Sequence, residues 1–203
     1  MFRHHLDRST ATQIVRGAIS IDKVLHGRRR REHLATHRNR CFFDKAAKDG
    51  RPRLMAMHGQ QVRFVRIRSA RKYEVDFIPL GHDMKPSGTM ETAHKLEFKF
   101  GSHLEHAAKM HNAIQFCESS ASTADTIVKP QDRYCISDRK LYGWLDAASR
   151  ICVKTLEGDM VKGTVSWIGR WEIGLSVNDA ELVVFRHALA NIQGFRWGSL
   201  KDD

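Results

Sequence analysis

The chain has 203 residues, of which 41% are hydrophobic, with a formal net charge of +11 and a pI near 9.8. That length allows one ordinary domain or two small ones, and the apolar content exceeds that of disordered chains. No apolar stretch approaches the roughly 18 residues of a membrane-spanning helix, so we expect no membrane partner. The basic balance favours nucleic acid or another anionic surface as the partner.

Residues 1–41 form a basic N-terminal segment. Residues 1–40 contain ten Lys and Arg against three Asp and Glu, and residues 26–33 read HGRRRREH. A run of this kind is suited to phosphate contacts. The alternatives are a solvated tail and a targeting segment, although Asp7 and the histidines fit the latter poorly.

Cysteine and histidine usage predicts a reduced, metal-free protein. The four cysteines show no CxxC spacing, which is typical of free thiols in the cytoplasm. His33 and His37 have i,i+4 spacing, but no HExxH motif is present and arginines flank both. We therefore expect no metal and no cofactor.

Residues 42–100 have the pattern of a helix followed by short strands. A short amphipathic helix ends near Gly50 and Pro52, and the segments after it alternate between apolar and polar residues. The predicted helix is 42–49, and the predicted strands are 53–57, 61–69, 72–80 and 94–100.

Residues 101–136 connect this region to the next and contain a predicted helix at 101–116 followed by a polar linker. The order of a helix followed by short strands then recurs in residues 137–195. The second helix is predicted at 137–150, strands follow at 151–157, 159–168, 171–177 and 181–192, and 196–203 form a tail. An internal duplication explains this order. We expect a mostly β protein with two small five-stranded barrels, each preceded by a short helix. Units of fewer than about 60 residues bury little, so they should pack edge to edge.

The run VVFRHALANI at 183–192 interrupts an apolar strand with Arg186 and His187. One interpretation is a strand whose polar residues face water. The other is that both side chains are presented to a negatively charged ligand.

From residue 137 to 192 the chain resembles Hfq, the bacterial Sm-like RNA chaperone. The likeness rests on the helix, the Glu157-Gly158 turn, the long second strand 161–168 and the run Phe185-Arg186-His187-Ala188. Residues 42–100 resemble a degenerate copy, in which His58-Gly59 forms the turn and His94-Lys95 stands at the position of Arg186-His187.

The resemblance implies that basic residues line the pore of a ring and that an aromatic residue stacks on a base. The residues expected to contact RNA are Trp171, Phe185, Arg186, His187, Arg170, Tyr73, His94, Lys95, Lys48, Arg28, Arg29, Arg30 and Arg31. The alternative for Trp171 is a place in the core, and for His187 a buried structural role. In the Hfq family certain positions accept adenine bases. In this chain those positions are Lys154 and Lys162.

The predicted function is that of an RNA-binding Sm-like protein, an RNA chaperone or post-transcriptional regulator in the bacterial cytoplasm, holding U-rich single-stranded RNA without catalysis. No P-loop, paired-carboxylate or Ser/His/Asp pattern indicates an enzyme. Three chains with six barrels would close one ring, and a hexamer of chains is the alternative. A different hypothesis is a DNA-binding or nucleoid-associated regulator whose barrels serve for oligomerisation.

Overall fold

The computed structural model describes residues 41–60, 62–117 and 136–194. We call residues 42–103 the first half and residues 138–194 the second half. The basic segment 1–40, the middle of the linker and the tail lie outside the described residues. The expectation for Arg28, Arg29, Arg30 and Arg31 therefore remains one from sequence.

The described residues contain eleven strands and three α-helices. The strands are β1 Arg53–Met57, β2 Val62–Ala70, β3 Glu74–Leu80, β4 Glu91–His94, β5 Phe98–His103, β6 Ile114–Gln115, β7 Arg150–Thr155, β8 Met160–Ile168, β9 Glu172–Val177, β10 Ala180–Phe185 and β11 Leu189–Gly194. The helices are α1 Phe42–Asp49, α2 Ala107–Ala113 and α3 Asp138–Asp146. Four short 3₁₀ turns lie at His58–Gln60, Lys95–Glu97, Leu104–His106 and Arg186–Ala188.

All the strands belong to one antiparallel sheet, which is open. Its order is β11-β7-β8-β9-β10-β5-β1-β2-β3-β4, and β6 pairs with β8 off this path. The expectation of a mostly β protein with a few helices is confirmed. Each half supplies five adjacent strands, in which its fifth strand pairs with its first.

The register shows that the two halves repeat. The second strand of each half has nine residues, and its pairing shifts between Ile67 and Ser69 in β2 and between Val165 and Trp167 in β8, at the same place along the strand. Such a shift is a β-bulge, which bends the strand and increases its twist. A 3₁₀ turn separates the fourth strand from the fifth in both halves.

The halves join through their strands. β5 of the first half pairs with β10 of the second, with Gly101 opposite Val183 and Phe100 opposite Val184. Phe100 and the two valines are at most 1% exposed. We call this contact the internal junction. Gly101 is required there, because a Cβ atom would lie 2.7 Å from the ring of Phe42.

Two apolar clusters form the core. One fills the inside of the first half, where α1 contributes Phe42, Phe43 and Ala46, and ends at Gly50 in the left-handed conformation. The other fills the second half, where α3 begins at its N-cap Ser137 and buries Leu141. Both clusters take residues from the internal junction.

Three predicted elements differ from the structure. The predicted helix 101–116 is helical only in part, because residues 101–103 complete β5 between β1 and β10, and the helix Ala107–Ala113 follows the 3₁₀ turn Leu104–His106. The predicted strands 94–100 and 181–192 are each broken by a 3₁₀ turn, at Lys95–Glu97 and at Arg186–Ala188. Alternation along the predicted strand 94–100 would place Lys99 on a polar face, yet its side chain is fully buried.

Candidate nucleic-acid interface

An exposed aromatic residue precedes the third strand of each half. Trp171 is 43% exposed and Tyr73 is 55% exposed. Glu172 and Glu74, the next residues in the chain, occupy the same register position in β9 and β3. The two aromatic residues are therefore equivalent, as the sequence predicted, and Trp171 is not a core residue. The buried tryptophan of this region is Trp167.

A cation lies over each of these rings. The guanidinium of Arg170 lies 4.7 Å from the centroid of the Trp171 ring, and Lys72 Nζ lies 4.8 Å from that of Tyr73. Arg170 was predicted as a site residue, whereas Lys72 was missed. The signal was present in the sequence, because a basic residue directly precedes the aromatic residue in both halves.

The backbone beside each aromatic residue corrects the sequence alignment of the halves by one residue. The amide of Arg186 donates to the carbonyl of Trp171 at 2.9 Å, and the amide of Lys95 donates to that of Tyr73 at 2.7 Å. Lys95 is therefore the counterpart of Arg186, and His94 is that of Phe185. The sequence had matched His94-Lys95 with Arg186-His187.

Arg186 is buried rather than presented to a ligand. Only 5% of the residue is exposed, and its guanidinium forms an ion pair with Asp138 at 2.8 Å, at the start of α3. It also donates to the carbonyl of Gly169 at 3.4 Å. The expectation that Arg186 lies near solvent is wrong, because the side chain ties the 3₁₀ turn to α3.

Phe185 and His187 lie in different environments. Phe185 is 2% exposed and stacks on Phe43 at 4.9 Å, so it belongs to the core and cannot contact RNA in this conformation. His187 is half-buried, and its Nε2 lies 2.8 Å from the carbonyl oxygen of Phe98 across the internal junction. Neither fully buried nor freely presented, His187 helps to hold the two halves together.

The first half places a histidine and two lysines near the surface. The ring of His94 is parallel to that of Tyr73 with centroids 6.1 Å apart, and its Nδ1 accepts from the amide of Leu96. Lys95 is half-buried and its Nζ lies 5.6 Å from the Phe43 centroid, while Lys48 is exposed in the last turn of α1. Tyr73, His94 and Lys95 thus form a group on one side of the first half.

Glu172, next to Trp171, was not identified from sequence. It is 2% exposed, and both of its carboxylate oxygens accept from the amide of Phe42 at the start of α1, at 3.0 and 2.8 Å. Burial raises the pKa of Glu172 to about 7, against the effect of this hydrogen bond. The residue connects the base of the candidate stacking site to the first half.

A buried charge cluster at the internal junction was also missed. Lys99 Nζ donates to Glu157 at 2.5 Å and to Asp159 at 2.6 Å. His58 Nδ1 lies 2.7 Å from the same Glu157 carboxylate. Burial opposes ionisation of Glu157, but hydrogen bonds from Lys99, Gly59 and His58 lower its pKa below the ordinary value. No sequence motif indicates such a contact between distant turns.

Within the described residues, no group of three His, Cys, Asp or Glu side chains is arranged to hold a metal ion. No helix in that part of the chain is long and apolar enough to cross a membrane. Comparison of the chain with protein-family models, with curated proteins and with solved structures gave no match.

Proposed function

We propose that this chain is an RNA-binding Sm-like protein, similar to the Hfq RNA chaperone, which holds U-rich single-stranded RNA in the bacterial cytoplasm and performs no catalysis. Each half is an Sm-like unit curled into a small barrel. The supporting features are the helix before five strands, the bulged second strand and the basic residue after the fourth strand, all of which occur in both halves.

The observation that carries this proposal is the repeated pair of an exposed aromatic ring and a cation. Arg170 with Trp171 and Lys72 with Tyr73 stand at equivalent positions, with separations of 4.7 and 4.8 Å. Base stacking on an exposed aromatic ring contributes about 1–3 kcal/mol per base. The adjacent cation attracts the phosphate that accompanies the base.

Other basic residues provide the phosphate contacts in this proposal. In the first half these are Lys95 and Lys48, and in the second half the residue is His187, whose neighbour Arg186 donates its amide to the carbonyl of Trp171. The arginines at 28–31 add contacts that depend on salt but not on base identity. Arg186 and Phe185 support the loop from within and do not touch RNA.

The RNA-binding form is a homo-oligomer, with a trimer of chains favoured and a hexamer as the alternative. The internal junction supports this part of the proposal, because it joins the two halves of one chain by pairing a strand of one half with a strand of the other. Stacking sites repeated around such an assembly would bind successive bases of one strand, which raises affinity without any new type of contact.

Competition binding tests the proposal. A fluorescent U-rich oligoribonucleotide is challenged with unlabelled U-rich RNA or with duplex DNA at one salt concentration. We expect the RNA to compete much more strongly, and Trp171→Ala and Tyr73→Ala each to weaken binding by about 1–3 kcal/mol. The matched control is Val62→Ala, an exposed apolar residue at the far end of β2.

Preferential binding of duplex DNA, unaffected by either aromatic substitution, would replace this proposal with the DNA-binding regulator. Equal loss of affinity in the control and in the aromatic variants would show a general effect on folding. Circular dichroism of each variant separates that case from a loss of stacking.

A further inference from the structure

Glu172 is a buried acid beside the candidate stacking site of the second half. It follows Trp171 directly in the chain and is 2% exposed. Its counterpart Glu74 follows Tyr73, and the Glu74 side chain is 46% exposed and pairs with Arg71 at 3.0 Å. The two stacking sites therefore differ, because only the site of the second half adjoins a carboxyl group that is shielded from water.

The carboxyl group of Glu172 is weakly bonded for a buried acid. Its hydrogen bonds within the described residues come from the amide of Phe42, which both oxygens share at 3.0 and 2.8 Å, and from the thiol of Cys41. Several N–H donors are needed to hold a buried carboxylate in its charged form, and a thiol is a weak donor. Burial therefore outweighs these bonds and raises the pKa of Glu172 to about 7.

The charged groups that act on this carboxyl group come from two elements of the first half. Lys95, in the 3₁₀ turn after β4, favours the charged form of Glu172, and Asp44, in the first turn of α1, opposes it. In the second half, Arg186 follows β10 but is paired with Asp138. The charge of Glu172 therefore acts on Lys95, which is a phosphate-binding residue in the proposed function.

RNA held at Trp171 brings further charge to this cluster. A base stacked on Trp171 places its phosphate near Glu172, because the two residues are adjacent in the chain. A neutral Glu172 leaves the attraction of Arg170 and Lys95 for the phosphate undiminished, whereas an ionised Glu172 repels the phosphate and offsets part of that attraction. A unit charge about 8 Å from the phosphate, screened more than at the protein surface but less than in water, changes affinity by about fivefold.

We propose that RNA binding at Trp171 is coupled to protonation of Glu172, so that this site holds RNA more tightly at acidic than at alkaline pH while the site at Tyr73 does not respond. The inference rests on the proposed function and adds regulation to one of its two sites. By linkage, bound phosphate raises the pKa of Glu172 further, because it disfavours the charged form. The chain therefore takes up protons when it binds RNA near neutral pH.

Binding of a fluorescent U-rich oligoribonucleotide at about pH 6 and about pH 8.5, at one salt concentration, tests the coupling in the full chain. At the higher pH wild-type Glu172 is ionised and Glu172→Gln stays neutral. We expect the variant to bind about fivefold more tightly than wild type there, and equally at the lower pH. Glu74→Gln is the matched control and should bind like wild type at both. Comparing variants at one pH cancels the titration of histidines.

Two double variants assign the effect to one site. Added to Trp171→Ala, which leaves the site at Tyr73, Glu172→Gln should no longer change the affinity at the higher pH. Added to Tyr73→Ala, it should change the affinity by the same factor as in wild type. An equal effect in both backgrounds would contradict a coupling through Trp171.

Calorimetry in two buffers of different ionisation enthalpy measures the proton uptake. Near pH 7.4 we expect wild type to take up about 0.3–0.4 proton more per bound RNA than Glu172→Gln does. Equal proton uptake, with equal affinities at both pH values, would overturn the coupling and leave the proposed function standing. A chain that binds no U-rich RNA at either pH contradicts the proposed function itself, and the coupling with it.

Discussion

The two halves share a backbone but differ in what their surfaces carry. In the first half, Leu54, Ala56 and Phe100 on the outer face pack beneath Met110 and Ile114 of the segment after β5. The equivalent positions of the second half hold Cys152, Lys154 and Asn191, which are half-buried or exposed. A few side chains therefore decide whether the same strand positions face the chain interior, as in the first half, or solvent, as in the second.

The two halves also differ in which of their cations are buried. Lys99 is fully buried between two acids of the second half, while its counterpart Ala190 is exposed. Conversely, Arg186 is buried and its counterpart Lys95 is half-buried. Lys99 and Arg186 thus secure the position of a junction and of a turn.

Removal of the Lys99 cation should have the largest effect. Lys99→Met leaves Asp159, which is fully buried, without a positive partner, and we expect a loss of about 3–5 kcal/mol in the free energy of unfolding. Chemical denaturation measures this loss. Lys154→Met, on the exposed face of the second half, is the matched control and should change stability by less than about 0.5 kcal/mol.

Adding Asp159→Asn to Lys99→Met should restore part of the stability, since the uncompensated charge is then removed. If Lys99→Met is as stable as the control, the cluster does not hold the two halves together.

Glu172 and Glu74 give the next comparison, because they are equivalent but only Glu172 is buried. The pKa of Glu172 rises from 4.5 to about 7 on folding. Folding therefore takes up a proton between these pH values. The resulting stability is present below about pH 4.5 and is lost as the pH rises through 7.

Glu172→Gln should remove this dependence and be more stable than wild type at pH 8 by about 3 kcal/mol, with little difference at pH 4.5. Thermal or chemical unfolding at both pH values measures it. Glu74→Gln should show no such change, because its side chain is 46% exposed. A Glu172→Gln protein that is less stable at pH 8 contradicts the assignment of a costly buried carboxylate.

The smallest expected change in stability is that for Arg186, which we compare with its counterpart Lys95. Arg186→Met should lower stability by about 2 kcal/mol, because it breaks the ion pair with Asp138 and the hydrogen bond to Gly169. Lys95→Met should leave stability nearly unchanged and instead reduce the salt dependence of RNA binding. The opposite pattern would restore Arg186 as the residue presented to RNA.

The sequence predicted the repeat and the helix at 42–49 because these depend on local periodicity and on Gly50 as a stop. The resemblance also matched Tyr73 with Trp171, since each stands at the start of the third predicted strand of its half. Local periodicity could not locate the 3₁₀ turn at Lys95–Glu97, because one helical turn has no repeating pattern. The break shifted the alignment of the halves by one residue.

Burial of Arg186 and Lys99 could not be predicted for a different reason. Each is buried only because an acid from a distant part of the chain reaches it, Asp138 in one case and Asp159 in the other. Alternation along a strand assigns such residues to the polar face. The pairing of β5 with β10, which creates the environment of Lys99, is a contact between halves that no short pattern encodes.

Ultraviolet cross-linking of a uridine-rich RNA to the full chain tests most directly whether the aromatic residues of both halves hold RNA bases. Mass spectrometry of the digested product then locates the modified residues. We expect adducts at Trp171 and at Tyr73, which Trp171→Ala and Tyr73→Ala remove one at a time. Adducts confined to the basic segment 1–40 or to the outer face around Lys154, with none at either aromatic residue, would contradict it.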